Sequence, residues 1–331
     1  MAKIKKIKGR QVFDSRGNPT VEAEVFSEDG HYASAIVPSG ASTGSHEAFE
    51  LRDIKNKNYL GKSVFTAVEN INGAISKNLN NIDIFDQRKI DETLIELDGT
   101  EQKNKLGANS ILAVSIAVSK LAAICKNISL FKYLGGTAAN QLPIPLMNII
   151  NGGEHANNSL RIQEFMIRPE KSEKFSEAIR ICFLVIQNLK NLINKKNLST
   201  TVGDEGGFAP LLNKNEEAIE FILKSIEKAG FKPGEDVSIC LDVASNELYK
   251  DGKYSIKSSK FETVENTINY YLDLTDKYPI KSLEDPFAED DWSSWGGFMK
   301  FLKDNNKKTQ IVGDDLFVTN KDRLNKGIKE R

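Results

Sequence analysis

Three short apolar runs in the second half of the chain each end on an acidic residue. Val237-Ser238-Ile239-Cys240-Leu241 runs into Asp242, Ile280-Lys281-Ser282-Leu283 into Glu284, and Ile311-Val312-Gly313 into Asp314. The acids stand 42 and 30 residues apart, each interval long enough for one strand, one helix and their loops. This spacing predicts that the three side chains recur at the same edge of neighbouring parallel strands and converge at the C-terminal mouth of a sheet, open or closed into a barrel. The surrounding rhythm agrees: helical patterns cover 171–195, 215–229, 262–278 and 291–304, and short strand patterns cover 162–167, 237–241, 280–283 and 311–313.

The first 140 residues are organised differently. Val21, Ala23 and Val25 alternate with Glu22 and Glu24, Glu28-Asp29-Gly30 is a turn signal, and 31–37 resumes an extended run, which predicts an antiparallel meander with one wet face. Val64, Val68, Ile71, Ile75 and Leu79 then recur at helical spacing, 86–97 repeats the pattern, and 109–125 is apolar on most sides, as a buried central helix would be. Strands first and helices after make an α+β unit closing near Leu134-Gly135-Gly136. At 331 residues there is room for two such domains, with boundaries expected at 1–138 and 139–331.

Lys and Arg number 45 against 46 Asp and Glu, so no global field draws the chain to nucleic acid or an anionic membrane. Cys125, Cys182 and Cys240 are odd in number, far apart and without a CxxC, which argues against a disulfide framework or a thiolate zinc site and for a reducing cytoplasm. His31, His46 and His155 form no HExxH pair, so a metal is expected to be held by oxygen. No signal peptide is evident, and 111–125 is too short and serine-broken to span a bilayer.

Three carboxylates at one edge would repel or share protons, and a divalent cation taking hard oxygen ligands with positions to spare for water and substrate, Mg²⁺, resolves that conflict. The alternative is that each acid caps the following loop or helix. Glu164, within Gln163-Glu164-Phe165-Met166-Ile167, and Glu205, within Val202-Gly203-Asp204-Glu205-Gly206-Gly207, lie beside apolar residues or glycines that keep water away. A carboxyl pair so placed can hold one proton near neutral pH and act as a general acid; otherwise they are buried acids satisfied by backbone donors. Ser39-Gly40-Ala41-Ser42-Thr43-Gly44 offers amides to an anion or a hydroxyl to a metal, without a Walker lysine or GxGxxG. Asn151-Gly152-Gly153-Glu154-His155 carries the sole histidine of the second half, structural by default but set in a glycine-rich turn.

Taken together, these segments resemble the enolase family. The resemblance is carried by Val12-Phe13-Asp14-Ser15-Arg16-Gly17-Asn18-Pro19-Thr20, the Ser39 to Gly44 loop with His46-Glu47-Ala48, Asn151 to His155, Gln163-Glu164-Phe165, Gly203-Asp204-Glu205-Gly206-Gly207, Leu283-Glu284-Asp285-Pro286-Phe287 and Gly313-Asp314-Asp315-Leu316. They are collinear from residue 12 to 316.

The resemblance implies an N-terminal α+β domain followed by an α/β enolase-type TIM barrel that opens ββαα before its βα units, with 201–205 a loop between two helices. It implies a Mg²⁺-dependent lyase of glycolysis and gluconeogenesis that reversibly dehydrates 2-phosphoglycerate to phosphoenolpyruvate, a homo-oligomer of at least two chains, and a cytoplasmic location, with surface or secreted pools left open. By position, Asp242, Glu284 and Asp314 would bind a first Mg²⁺, and Ser42 would meet a second together with substrate. Glu205, supported by Glu164, would protonate the departing hydroxyl, and Gln163, His155 and Glu164 would contact substrate. The family's lysine base on the sixth strand, and its His-Arg-Ser segment and further lysine, have no counterpart in the 331 residues, and Lys321, Lys326 and Lys329 read as a solvated face. A C-terminally truncated chain with an incomplete, five-stranded barrel is therefore expected. The alternative is a catalytically inactive fragment acting, if at all, as a binding or assembly subunit.

Overall fold

The computed structural model describes residues 2–40 and 44–330, which form two compact units. Residues 2–40 and 46–141 make the first, and 142–330, joined by Gly44 and Ser45, make the second. Ser42 lies outside the described residues.

In the first unit, β1 (Ile4–Phe13), β2 (Pro19–Ser27) and β3 (Tyr32–Val37) form an antiparallel sheet in the order β1-β2-β3. The alternation in the sequence has its cause here, because Val21, Ala23 and Val25 face a dry core while Glu22 and Glu24 on the other face meet Arg10. The stretch 64–79, expected as one helix, is broken into α1 (Phe65–Asn70), a π-helical segment (Ile71–Ile75) and α2 (Ser76–Leu79). The extra residue of the π turn is used by Asn72, whose side-chain amide accepts from Gly9 N at 2.8 Å and donates to Gly9 O at 3.1 Å on the outer edge of β1. There follow α3 (Gln87–Asp98), capped by the Asp86 carboxylate, α4 (Ala108–Cys125) and α5 (Leu130–Gly135). The 18 residues of α4 are long and apolar enough to cross a membrane by composition, but the helix packs on β2 and β3 and buries Ala113, Val114, Ala117, Val118 and Leu121 completely.

The second unit is built on one sheet, ordered β11-β10-β6-β5-β4, from β4 (Met147–Asn151), β5 (Glu164–Pro169), β6 (Val237–Asp242), β10 (Ile280–Glu284) and β11 (Gln310–Val312). β4, β5 and β6 pair antiparallel, whereas β6, β10 and β11 run parallel. Between β5 and β6 come α6 (Phe175–Lys195) and α7 (Asn215–Lys228), so the unit opens ββαα, and the sheet does not close among the described residues. Residues 201–208 are a loop between these helices, bridged at Phe208 to Ile150 and Val202. A small sheet of β7 (Tyr249–Lys250), β8 (Lys253–Tyr254) and β9 (Glu262–Thr263) precedes α8 (Val264–Lys277). The chain continues through α9 (Trp292–Asp304), α10 (Asp314–Phe317) and α11 (Lys321–Glu330).

Parallel strands covered by helices must be apolar throughout, and Val237, Ile239, Cys240 and Leu241 of β6 are fully buried. The turn after β10 is fixed by Phe287, which packs edge-on against Tyr254, Tyr271, Trp295 and Phe298 with centroids 5.6–6.3 Å away. Tyr271 also donates its hydroxyl to Pro286 O at 2.7 Å.

Candidate active site

The strand registers do more than align the three strand-end acids. Glu164 on β5 pairs with Asp242 on β6, which pairs with Glu284 on β10, so three carboxylates lie in one row across adjacent strands about 4.8 Å apart. By sequence alone Glu164 belongs to a separate acid–base pair, because spacing along the chain cannot show that an antiparallel neighbour delivers it to the same row. Glu284 pairs on its other side with Val312 of β11, and Asp314 follows two residues later as the first residue of α10, exposed. The carboxylate oxygens of Asp242, Glu284 and Asp314 do not all close to within 4.8 Å of one another.

A tighter group forms at the β5 end of the row, where His155, Glu164 and Glu205 each bring a ligand atom within 4.8 Å of the others. The buried His155 Nδ1 lies 3.8 Å from Glu164 Oε1 and 3.6 Å from Glu205 Oε2, and neither ring nitrogen makes a hydrogen bond. Glu205 is delivered by a tight loop: Gly203 N donates to Gly207 O at 2.8 Å, Asp204 N to His155 O at 3.1 Å, and Gly206 adopts φ +82°. Gly203 is there because a Cβ would stand 2.4 Å from His155 O. Asn148 of β4 donates its Nδ2 to Glu205 Oε2 at 3.1 Å. Gln163 is buried immediately before β5, its backbone N donating to Asp242 O at 3.1 Å.

Electrostatics reflect the crowding. Burial first, then the hydrogen bond with Glu205 and the charges of Asp242, Glu205 and Glu284, push Glu164 up to about 10. Burial and the neighbouring Asp314, Asp315 and Glu205 raise Glu284 to about 7, and burial with Glu284 and Asp285 raises Asp242 well above the usual carboxylate range. Asp285, which follows Glu284 at φ +41°, is raised to about 8 mainly by burial, although its Oδ2 accepts from Asp315 N at 2.9 Å. Its buried Oδ1 has no hydrogen-bond partner.

This donor set suits a hard divalent cation: the desolvated carboxylates of Glu164, Asp242 and Glu284 share one row and ionise together only against a concentrated positive charge. Two residues of the site escaped sequence reading. Asn148 was signalled only by being polar within the apolar run Met147 to Ile150, and Asp285 only by being a second acid at a strand end.

A barrel-type sheet with carboxylates gathered along the edge where its parallel strands end, joined there by the start of an antiparallel neighbour, is the framework of a barrel enzyme working by acid–base chemistry. Comparison with known proteins specifies which. The family model for the enolase N-terminal domain matches residues 4–134, and that for the enolase C-terminal TIM barrel domain matches 139–331. A curated enolase of Pelagibacter ubique (strain HTCC1062) is 61% identical over 328 residues, covering 99% of this chain and 77% of that protein. The chain belongs to the enolase family, whose activity is that of a lyase.

Proposed function

We propose that this protein acts on 2-phosphoglycerate and phosphoenolpyruvate, with Mg²⁺ held by Asp242, Glu284 and Asp314 and acid–base work done by Glu164 and Glu205. The observation that carries the assignment is the row of Glu164, Asp242 and Glu284 across three paired strands. Bound there, Mg²⁺ would supply positive charge to the substrate carboxylate beside the carbon that gives up its proton, and the family's acceptor for that proton is the sixth-strand lysine, which has no counterpart among these 331 residues. Ser42 is assigned to a second ion on the family resemblance alone.

The chain's own residues supply the other half of the reaction, loss of the hydroxyl. Glu164, desolvated and bonded to Glu205, keeps a proton at neutral pH. Glu205, steadied by Asn148 and 42% exposed at its side chain, is the member of the pair that a substrate reaches. The shared proton passes from Glu205 to the departing oxygen, the carbon–oxygen bond breaks, and water leaves. His155 and Gln163, buried at the edge of the row, orient substrate and exclude bulk solvent. The working unit is a homo-oligomer of at least two chains on the family resemblance, and a reducing cytoplasm fits the three free cysteines.

Calorimetry tests the assignment. Phosphoenolpyruvate is expected to bind only with Mg²⁺ present, and Glu284→Gln is expected to weaken Mg²⁺ binding at least about tenfold, a loss of about 1.4 kcal/mol. Equal phosphoenolpyruvate binding in EDTA, or unchanged Mg²⁺ affinity in the variant, sinks it.

A further inference from the structure

The first unit holds a second group of metal-ligating side chains that the chemistry above does not use. Asp29, His31 and Cys125 each bring one ligand atom within 4.8 Å of the others. Their positions in the chain hide this, since Cys125 stands 94 residues beyond His31 and no spacing motif joins them. The fold joins them in two steps. The β2–β3 turn is closed by Ser27 N donating to His31 O at 2.9 Å and Gly30 N to Ser27 O at 3.2 Å, with Gly30 at φ +90°. That sets His31 Nδ1 3.2 Å from Asp29 Oδ1. Then α4, packed on β2 and β3, ends at Cys125 and brings its thiol to the turn.

We propose that Asp29, His31 and Cys125 form a cation site for an ion of the Zn²⁺ class. A carboxylate oxygen, an imidazole nitrogen and a sulfur from three residues suit a borderline-soft ion and not Mg²⁺, and three protein ligands leave a fourth position for water. His31 and Asp29 are 48% and 47% exposed at their side chains, so the ion has a way in. The Ser27 hydroxyl donates to Asp29 Oδ1 and orients the carboxylate, as residues behind metal ligands do. A turn that needed only closing would be served by Ser27, Asp29 and His31, and the Cys125 thiol, which also meets the Ser27 side chain, is brought to it from the end of α4.

The site lies wholly in the first unit, so its failure and that of the functional assignment are separate. The test is run on the whole chain in excess Mg²⁺, with Zn²⁺ titrated against a chromophoric chelator and Co²⁺ as the spectroscopic probe. Co²⁺ is expected to give a thiolate-to-metal charge-transfer band that disappears in Cys125→Ser. Zn²⁺ affinity is expected to fall at least about tenfold in Cys125→Ser and in His31→Gln, the latter a half-exposed position where folding is preserved. An ion taken instead by His155, Glu164 and Glu205 would lack the band, and Cys182 and Cys240 are buried in the other unit. Absence of the band in the parent chain, its persistence in Cys125→Ser, or equal Zn²⁺ affinity in the parent and both variants overturns the proposal.

Discussion

Glu164 is an acid that the fold keeps protonated and the proposed reaction needs protonated. Its folded-state value of about 10 stands above the 4.5 of an unfolded chain, so between those values the unfolded state has released a proton that the folded state retains. Such a group is least costly below about pH 4.5 and erodes stability as pH rises toward its folded value. Glu284 and Asp285, raised to about 7 and 8, act in the same direction. The melting temperature in EDTA is therefore expected to fall between about pH 5 and pH 8, to fall less steeply in Glu164→Gln, and to recover when Mg²⁺ is added. A melting temperature that is flat or rising over that range would contradict this account of the row. What the sequence showed at this scale was residue type at strand ends, enough to find Asp242, Glu284 and Asp314. It could not show that Asp242 has Glu164 as a register partner or that His155 points at both acids, because those facts belong to pairing between strands far apart in the chain.

At the scale of elements, the π-helical segment between α1 and α2 explains an interaction that a regular helix would not make. The outward backbone groups of Gly9, on an edge strand, have no strand to pair with and are met by the amide of Asn72. Asn72→Ala is expected to cost about 1–3 kcal/mol in urea unfolding, because Gly9 is buried and its N–H and C=O lose their partner. A loss below about 0.5 kcal/mol would mean that water takes over. Periodicity reads Val64, Val68, Ile71, Ile75 and Leu79 correctly as one inward stripe and still misses the break, since a single extra residue between Asn70 and Ser76 leaves Val64, Ile71, Ile75 and Leu79 buried and Val68 packed against the same core. Elsewhere the elements were legible because their apolar patterns are physical requirements of burial. The helix patterns over 171–195 and 215–229 correspond to α6 and α7, and the strand patterns over 162–167, 237–241, 280–283 and 311–313 correspond to β5, β6, β10 and β11, whereas β4 was not among them. Their antiparallel start was supplied by family resemblance, because alternation of strands and helices speaks for parallel pairing alone.

The whole molecule has two cores with no residue in common, one of them within residues 4–121 and the other within 149–316. Both tryptophans, Trp292 and Trp295, lie in the second unit. Tryptophan fluorescence therefore follows one unit, whereas far-ultraviolet circular dichroism follows both, and the two denaturation curves are expected not to superimpose. Coincident curves would show that the units unfold as one. The near balance of 45 basic and 46 acidic residues conceals how uneven the charge is locally, with the second unit concentrating uncompensated acid on one row. The covered edge of β1 has a last consequence, in time and not in space. Its outward groups are met by Asn72 and, at Ile4, by Asn81 and Ile82. All of these are translated after β3 ends at Val37. At ribosomal speeds of about 5–20 residues per second, the nascent meander emerges with its first strand uncovered for roughly 2–9 seconds. The order of synthesis thus leaves the edge of β1 open to other strands for that interval, until the segment carrying Asn72, Asn81 and Ile82 arrives to cover it.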